Sequence, residues 1–153
     1  MHRRSELRAA TLVALVALAL PVAAVAKPYA ACFATVGNYY HINPLLLEAI
    51  AHHESDFNPI ALHHNPNGSW DIGVMQINSS WIPTLRRAGV DPNRLVQDPC
   101  LNIAVGGAIL ALNIHHYGLS WRAVGAYNAV TPWKQDRYAA AIERRLLIEL
   151  HGQ

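Results

Sequence analysis

From Pro44 onward the apolar positions fall into helical periods separated by short polar breaks. Leu46, Leu47, Ile50 and Ala51 recur three and four residues apart, with Asn43 as N-cap and Pro44 at the first helical position. The pattern fails across Ser55 to Pro59, which predicts a helix over about 44–54 with Glu54 in its last turn. The next stretch, HHNPNGSWDIGVMQINSSW (63–81), breaks that rhythm. Asn67-Gly68 is a tight-turn signal between short polar and apolar segments, so a small hairpin or irregular lobe is predicted there. Helical spacing returns over 80–88, ended by Gly89, and in a long apolar run capped by Asp98-Pro99 and stopped by Gly118. A short helix from Ser120 to about Ala126 and a last one from Thr131-Pro132 to about Leu150 complete the chain. The Ala, Leu and Ile positions of 101–116 and 139–150 are read as packing surface. The fold class is mainly α, an α+β arrangement in which one small β lobe interrupts a helical domain.

The first 26 residues follow a different logic. Arg3, Arg4 and Arg8 precede an uncharged apolar run, Pro21 breaks it, and Ala24-Val25-Ala26 supplies the small-x-small pattern of a cleavage site. Residues 1–26 are therefore read as a signal peptide and 27–153 as one domain, exported to the periplasm or secreted. The alternative is an uncleaved anchor, because the uncharged stretch of residues 9–26 reaches the lower limit of length for a membrane span. Three of the 12 basic and one of the 10 acidic side chains lie in this leader, leaving nine of each. A balanced mature chain gives no electrostatic basis for a nucleic-acid partner. Cys32 and Cys100 are the only cysteines, and export makes one disulfide the expectation, closing a loop of 68 residues. Such a bridge stabilises by up to ~4 kcal/mol; the alternative is a pair of buried free thiols. C-x-x-C is absent, and no cofactor is expected.

AHHESDFNP (51–59) holds the candidate chemistry. A zinc-protease helix needs H-E-x-x-H, and here the second histidine position is Phe57. His52 and His53, as neighbours on a helix, point about 100° apart and do not chelate together. His63-His64 and His115-His116 have no spacing that forces convergence, so no metal is expected. The other reading takes Glu54 as an acid. It shares a helix face with Leu47, Ile50 and Ala51 and stands at the negative end of the helix dipole. Desolvation and dipole both raise its pKa, toward a carboxylic acid that can protonate a leaving-group oxygen. Periodicity alone leaves open a Glu that merely hydrogen-bonds a neighbouring turn.

ESDFNPIA (54–61), DIGVMQINSSW (71–81) and GAYNA (125–129), in that order, resemble the SLT-type lytic transglycosylases of the lysozyme superfamily. The likeness covers about residues 30–130 and is closest to small secreted members that accompany secretion, pilus or conjugation machinery. It implies a lysozyme-like fold in which the β lobe and the helices form a sugar-binding cleft, with peptidoglycan glycan strands as substrate. Glu54 then matches the family's single acid/base, which cuts the MurNAc–GlcNAc β-1,4 bond and leaves 1,6-anhydro-MurNAc. Ser55, Gly73, Met75, Gln76, Asn78, Tyr127 and Asn128 match substrate-binding positions, with the tyrosine approaching the catalytic carboxyl. Val130 stands where the family usually has glycine; if that glycine serves a left-handed turn, the loop leaving Tyr127 must differ.

Asp71 is the second candidate catalytic carboxylate, because the segment around it also resembles the hairpin of animal lysozymes. It would stabilise an oxocarbenium-like transition state, or else simply cap the hairpin turn. Two further readings stay open beside the transglycosylase: a lysozyme-type hydrolase using Glu54, Asp71 and water, and a non-catalytic peptidoglycan-binding scaffold.

Overall fold

A computed structural model of the chain describes residues 27–151; the leader read over 1–26 lies outside the described residues. Among the described residues, seven helices and one small sheet follow in the order α1 (Ala30–Tyr40), α2 (Pro44–Ser55), β1 (Leu62–His64), β2 (Trp70–Ile72), β3 (Ile77–Asn78), α3 (Ile82–Arg87), α4 (Arg94–Gln97), α5 (Pro99–Tyr117), α6 (Trp121–Gly125) and α7 (Pro132–His151). A single 3₁₀ turn, Ser79–Trp81, leads into α3. The mainly helical architecture with one β lobe is as expected, and among the described residues no helix is long and apolar enough to cross a membrane.

The caps act as their residue types predict. Asn43 Oδ1 accepts from Leu45 N at 2.9 Å at the start of α2, and Asp98 Oδ1 accepts from Leu101 N at 3.0 Å at the start of α5. α2 ends where Asp56 and Phe57 both turn left-handed, at φ 53° and 60°. A bulky residue in that region costs about 1–2 kcal/mol, which Phe57 offsets by packing edge-on against Phe33 at 6.1 Å.

Three elements escape the periodicity argument: α1, the four-residue α4, and the two-residue β3. α1 contains Thr35, Val36 and Gly37, weak helix formers. Its support is tertiary, since Phe33 is wholly buried and Cys32 is bonded to Cys100 at the start of α5, with Cα atoms 5.3 Å apart. The expected disulfide is present.

α5 runs through the middle of the molecule and buries Ile103, Val105, Ile109 and Leu110 against α1, α2 and α6. A Cβ at Gly106 would meet three atoms of Met75 at 2.8 Å, so the β lobe packs here only because α5 presents bare backbone. The sheet is antiparallel in the order β1-β2-β3, with His63 opposite Asp71 and Asp71 opposite Asn78. Asn65 to Ser69 form the turn between β1 and β2, where Gly68 takes φ 84°.

Candidate active site

Between the β lobe and the segment leading into α7 lies a cleft of about 710 Å³, and Glu54, Asp71, Gln76, Asn78, Tyr127 and Asn128 all line it. Glu54 reaches it from the last turn of α2. Burial raises its pKa from 4.5 to about 7; a hydrogen bond from Tyr138 pulls the other way, and the charge of Asp71 adds to the rise. The group is thus an acid that still holds its proton in a large share of molecules near neutral pH.

The donor to Glu54 Oε1 is the hydroxyl of Tyr138, on α7. The resemblance pointed to Tyr127 for closeness to the carboxyl. Tyr127 does line the cleft, but its hydroxyl donates to the Met75 carbonyl at 2.9 Å. The two phenol rings stack with centroids 6.5 Å apart, so Tyr127 backs the ring that holds Glu54. Burial pushes both phenols well above their ordinary pKa, with the charge of Glu54 next in effect, so each remains a donor. The sequence did carry a signal for Tyr138: a phenol on the buried face of α7, beside Ala139 and Ile142, needs a partner for its hydroxyl.

Asp71 enters from the middle strand, in a wholly different setting. Its Oδ1 accepts from Asn78 Nδ2 at 2.7 Å and its Oδ2 from Asn65 Nδ2 at 2.8 Å. The register explains the first bond, since Asn78 is directly cross-strand from Asp71 and shares its face. Asn78 is therefore both a cleft residue and an anchor of Asp71. Asn65, which the sequence reading passed over, does the same from the turn.

Ser55, Gly73 and Met75 do not line this cleft; they build its floor. Ser55 Oγ donates to the Val74 carbonyl at 2.7 Å, joining the end of α2 to the segment after β2. Gly73 sits at φ 75°, where a Cβ would lie 2.3 Å from Asn102 Nδ2. Met75 is fully buried beneath, against Gly106. The glycine is thus needed for a left-handed turn and for backbone packed on Asn102. Gln76, itself at φ 47°, donates through Nε2 to the Gly73 and Ala61 carbonyls at 2.9 and 3.3 Å.

The loop after Tyr127 resolves the question raised by Val130. Val130 is not among the left-handed residues and is 94% exposed, so valine is accommodated there without strain. The paired histidines have structural roles. His52 bridges Asp56 at 3.0 Å and Glu149 at 3.1 Å, while the His53 ring packs edge-on to Tyr138 at 5.3 Å.

The family model described as "Transglycosylase SLT domain" matches residues 31–145. "Invasion protein IagB" of Salmonella typhi is 44% identical over 118 residues, 74% of either chain. "Protein IpgF" of Shigella flexneri is 42% identical over 120 residues, 76% of this chain and 79% of the relative. "X polypeptide" of Escherichia coli (strain K12) is 43% identical over 98 residues, 64% of this chain and 58% of the relative.

Proposed function

The chain belongs to the SLT transglycosylase family and is a peptidoglycan lytic transglycosylase; we propose that Glu54 carries both proton transfers of its reaction, at the MurNAc–GlcNAc β-1,4 bond. Tyr138 donates to Oε1, which leaves Oε2 to carry the transferable proton. That proton goes to the glycosidic oxygen as the C1–O bond breaks, and an oxocarbenium-like sugar remains. The Glu54 carboxylate then takes the proton of the same sugar's 6-hydroxyl, whose oxygen closes on C1. The acid is regenerated, no water is consumed, and the product is 1,6-anhydro-MurNAc.

Asp71, anchored by two amides across the cleft, supplies fixed negative charge to the developing cation. Asn128 offers its amide to the N-acetyl and hydroxyl groups of the glycan, and Gln76, whose Nε2 is held by two carbonyls, offers only its Oε1 as an acceptor; Asn78 serves by fixing Asp71. Ser55, Gly73 and Met75 hold the floor on which those residues stand. The carrying observation is a half-buried carboxyl with a raised pKa, bonded to a neutral phenol and open to a cleft. A second reading, hydrolysis by water as in lysozymes, is favoured by one observation, the presence of Asp71 in the same cleft.

Mass spectra of muropeptides released from purified peptidoglycan separate the two. Anhydro ends are expected; hydrated reducing ends would replace this mechanism with hydrolysis. No release by a folded protein would sink both.

The relatives named for invasion suggest a setting. With the leader read over 1–26, the enzyme is exported and opens the wall locally in the periplasm for an envelope-spanning secretion, pilus or conjugation apparatus. Copurification of such a component with the exported protein is the expected result, and its absence under cross-linking would remove the assignment.

A further inference from the structure

Past Tyr138 the cleft continues into a second hollow of about 440 Å³, lined by His53 of α2 and by Trp133, Lys134, Arg137 and Arg144 of α7. It shares Asn128 and Lys134 with the first cleft, and the Tyr138 that lines it is the phenol bonded to Glu54. Trp133, Arg137 and Ala141 are spaced four residues apart and Arg144 follows three later, so they share one helix face. No Asp or Glu lines the hollow. Among the described residues, Lys134, Arg137 and Arg144 form none of the ion pairs, which involve Lys27, His52 and Arg94. Toward the end of α7, by contrast, Glu149 holds Lys27 at 2.9 Å and His52 at 3.1 Å. The field of the arginines reaches into the hollow, because the pKa of His53 is lowered first by desolvation and then by Arg145 and Arg144. Like charges lined up beside a partly desolvated wall repel one another, and a bound anion relieves that repulsion.

We propose that this groove binds the carboxylates of the peptide that peptidoglycan carries on its glycan, so that the acidic stem peptide lies over Lys134, Arg137 and Arg144 while the sugars occupy the cleft at Glu54. The inference rests on the substrate assigned above and adds a determinant of selectivity to it. Two arginines supply planar forks suited to carboxylates, and Trp133, 60% exposed, offers a flat apolar surface for the peptide's aliphatic parts. Continuity of the two hollows favours an anion attached to the glycan over a free acidic protein, since a ligand entering at Asn128 is already in register with Glu54.

The test uses the mature protein with Glu54→Gln, which holds substrate without turning it over, and soluble peptidoglycan tetrasaccharides with and without their stem peptides. Calorimetry at low salt is expected to show about tenfold tighter binding of the peptide-bearing form. Arg137→Gln with Arg144→Gln brings that ratio close to one, as does 0.5 M salt (roughly a threefold shorter screening length than at 0.05 M). Arg137→Gln alone gives a partial loss that Arg137→Lys partly restores. Equal binding of the two tetrasaccharides overturns the proposal and leaves an acidic protein surface as the occupant to look for. A preference that survives the double substitution overturns it too. Cleavage of peptide-free strands by the unmutated protein is scored separately, so failure of the activity and failure of this groove give different results.

Discussion

Glu54 and Asp71 face one cleft from opposite lobes, and their surroundings differ in every respect that matters to a proton. Glu54 ends a helix against apolar neighbours and has a single neutral phenol for a partner. Asp71 sits mid-sheet with an amide donor on each oxygen. Burial favours the neutral form of Glu54 more than its one phenol donor opposes it, while the two amides hold the Asp71 carboxyl in a fixed orientation. One cleft thus presents both carboxyls, and the charge of Asp71 helps keep Glu54 protonated. Two like residues acquire different duties from their neighbours alone.

The sharpest way to break this contrast is to abolish the acid. Glu54→Gln is expected to lower muropeptide release by about 10²–10⁴-fold with the fold intact by circular dichroism. Asp71→Asn keeps the shape and removes the charge, with the loss of one of the two amide bonds because the new Nδ2 cannot accept; a fall of about 10–100-fold is expected in kcat, with a smaller change in KM. The two sides also predict opposite pH shifts. The proposed mechanism requires protonated Glu54, so activity is expected to fall as pH rises through about 7. Asp71 raises that pKa and the Tyr138 bond lowers it. The alkaline limb of the pH profile therefore moves down in Asp71→Asn and up in Tyr138→Phe; shifts of the same sign would undo the electrostatic account.

Stability gives a third test. The folded pKa of Glu54 is above its unfolded value of 4.5, so the folded state binds the extra proton. The resulting stabilisation is complete below about pH 4.5 and lost as pH rises through about 7. Glu54→Gln has no such loss and is expected to exceed the parent by up to ~3 kcal/mol at pH 8. Denaturant melts at pH 4 and pH 8 should show that gap closing at the acid end. The smallest effect belongs to the Asp71 anchors: Asn65→Ala or Asn78→Ala loosens one oxygen and should cost about two- to fivefold in rate.

Much of this geometry was legible in the chain because it is local. The caps at Asn43, Asp98 and Ser120 and the turn at Asn67-Gly68 are decided within a few residues. The raised pKa of Glu54 followed from the apolar spacing ahead of it. What was not legible depends on contacts far apart in sequence. Tyr138 lies 84 positions from Glu54, and nothing nearby marks it as the partner in preference to Tyr127. Helix α1 is held by Phe33 packing and by a bridge to Cys100, so its own propensity said little. Gly73 and Met75 belong to a recognisable motif, yet their place beneath the cleft depends on Asn102 and Gly106 of α5.

That buried Asn102 of α5 ties the segment after β2 and helix α4 together with one side chain. Its Oδ1 accepts from Met75 N at 2.8 Å, and its Nδ2 donates to Ile72 O at 2.9 Å and Leu95 O at 3.0 Å. To widen the cleft at its floor, the protein must strand all three bonds in a dry interior, at about 1–3 kcal/mol for each group left alone. The slot is consequently preformed, and glycan must thread into it as it stands. This join opposes opening or closing of the cleft at its floor.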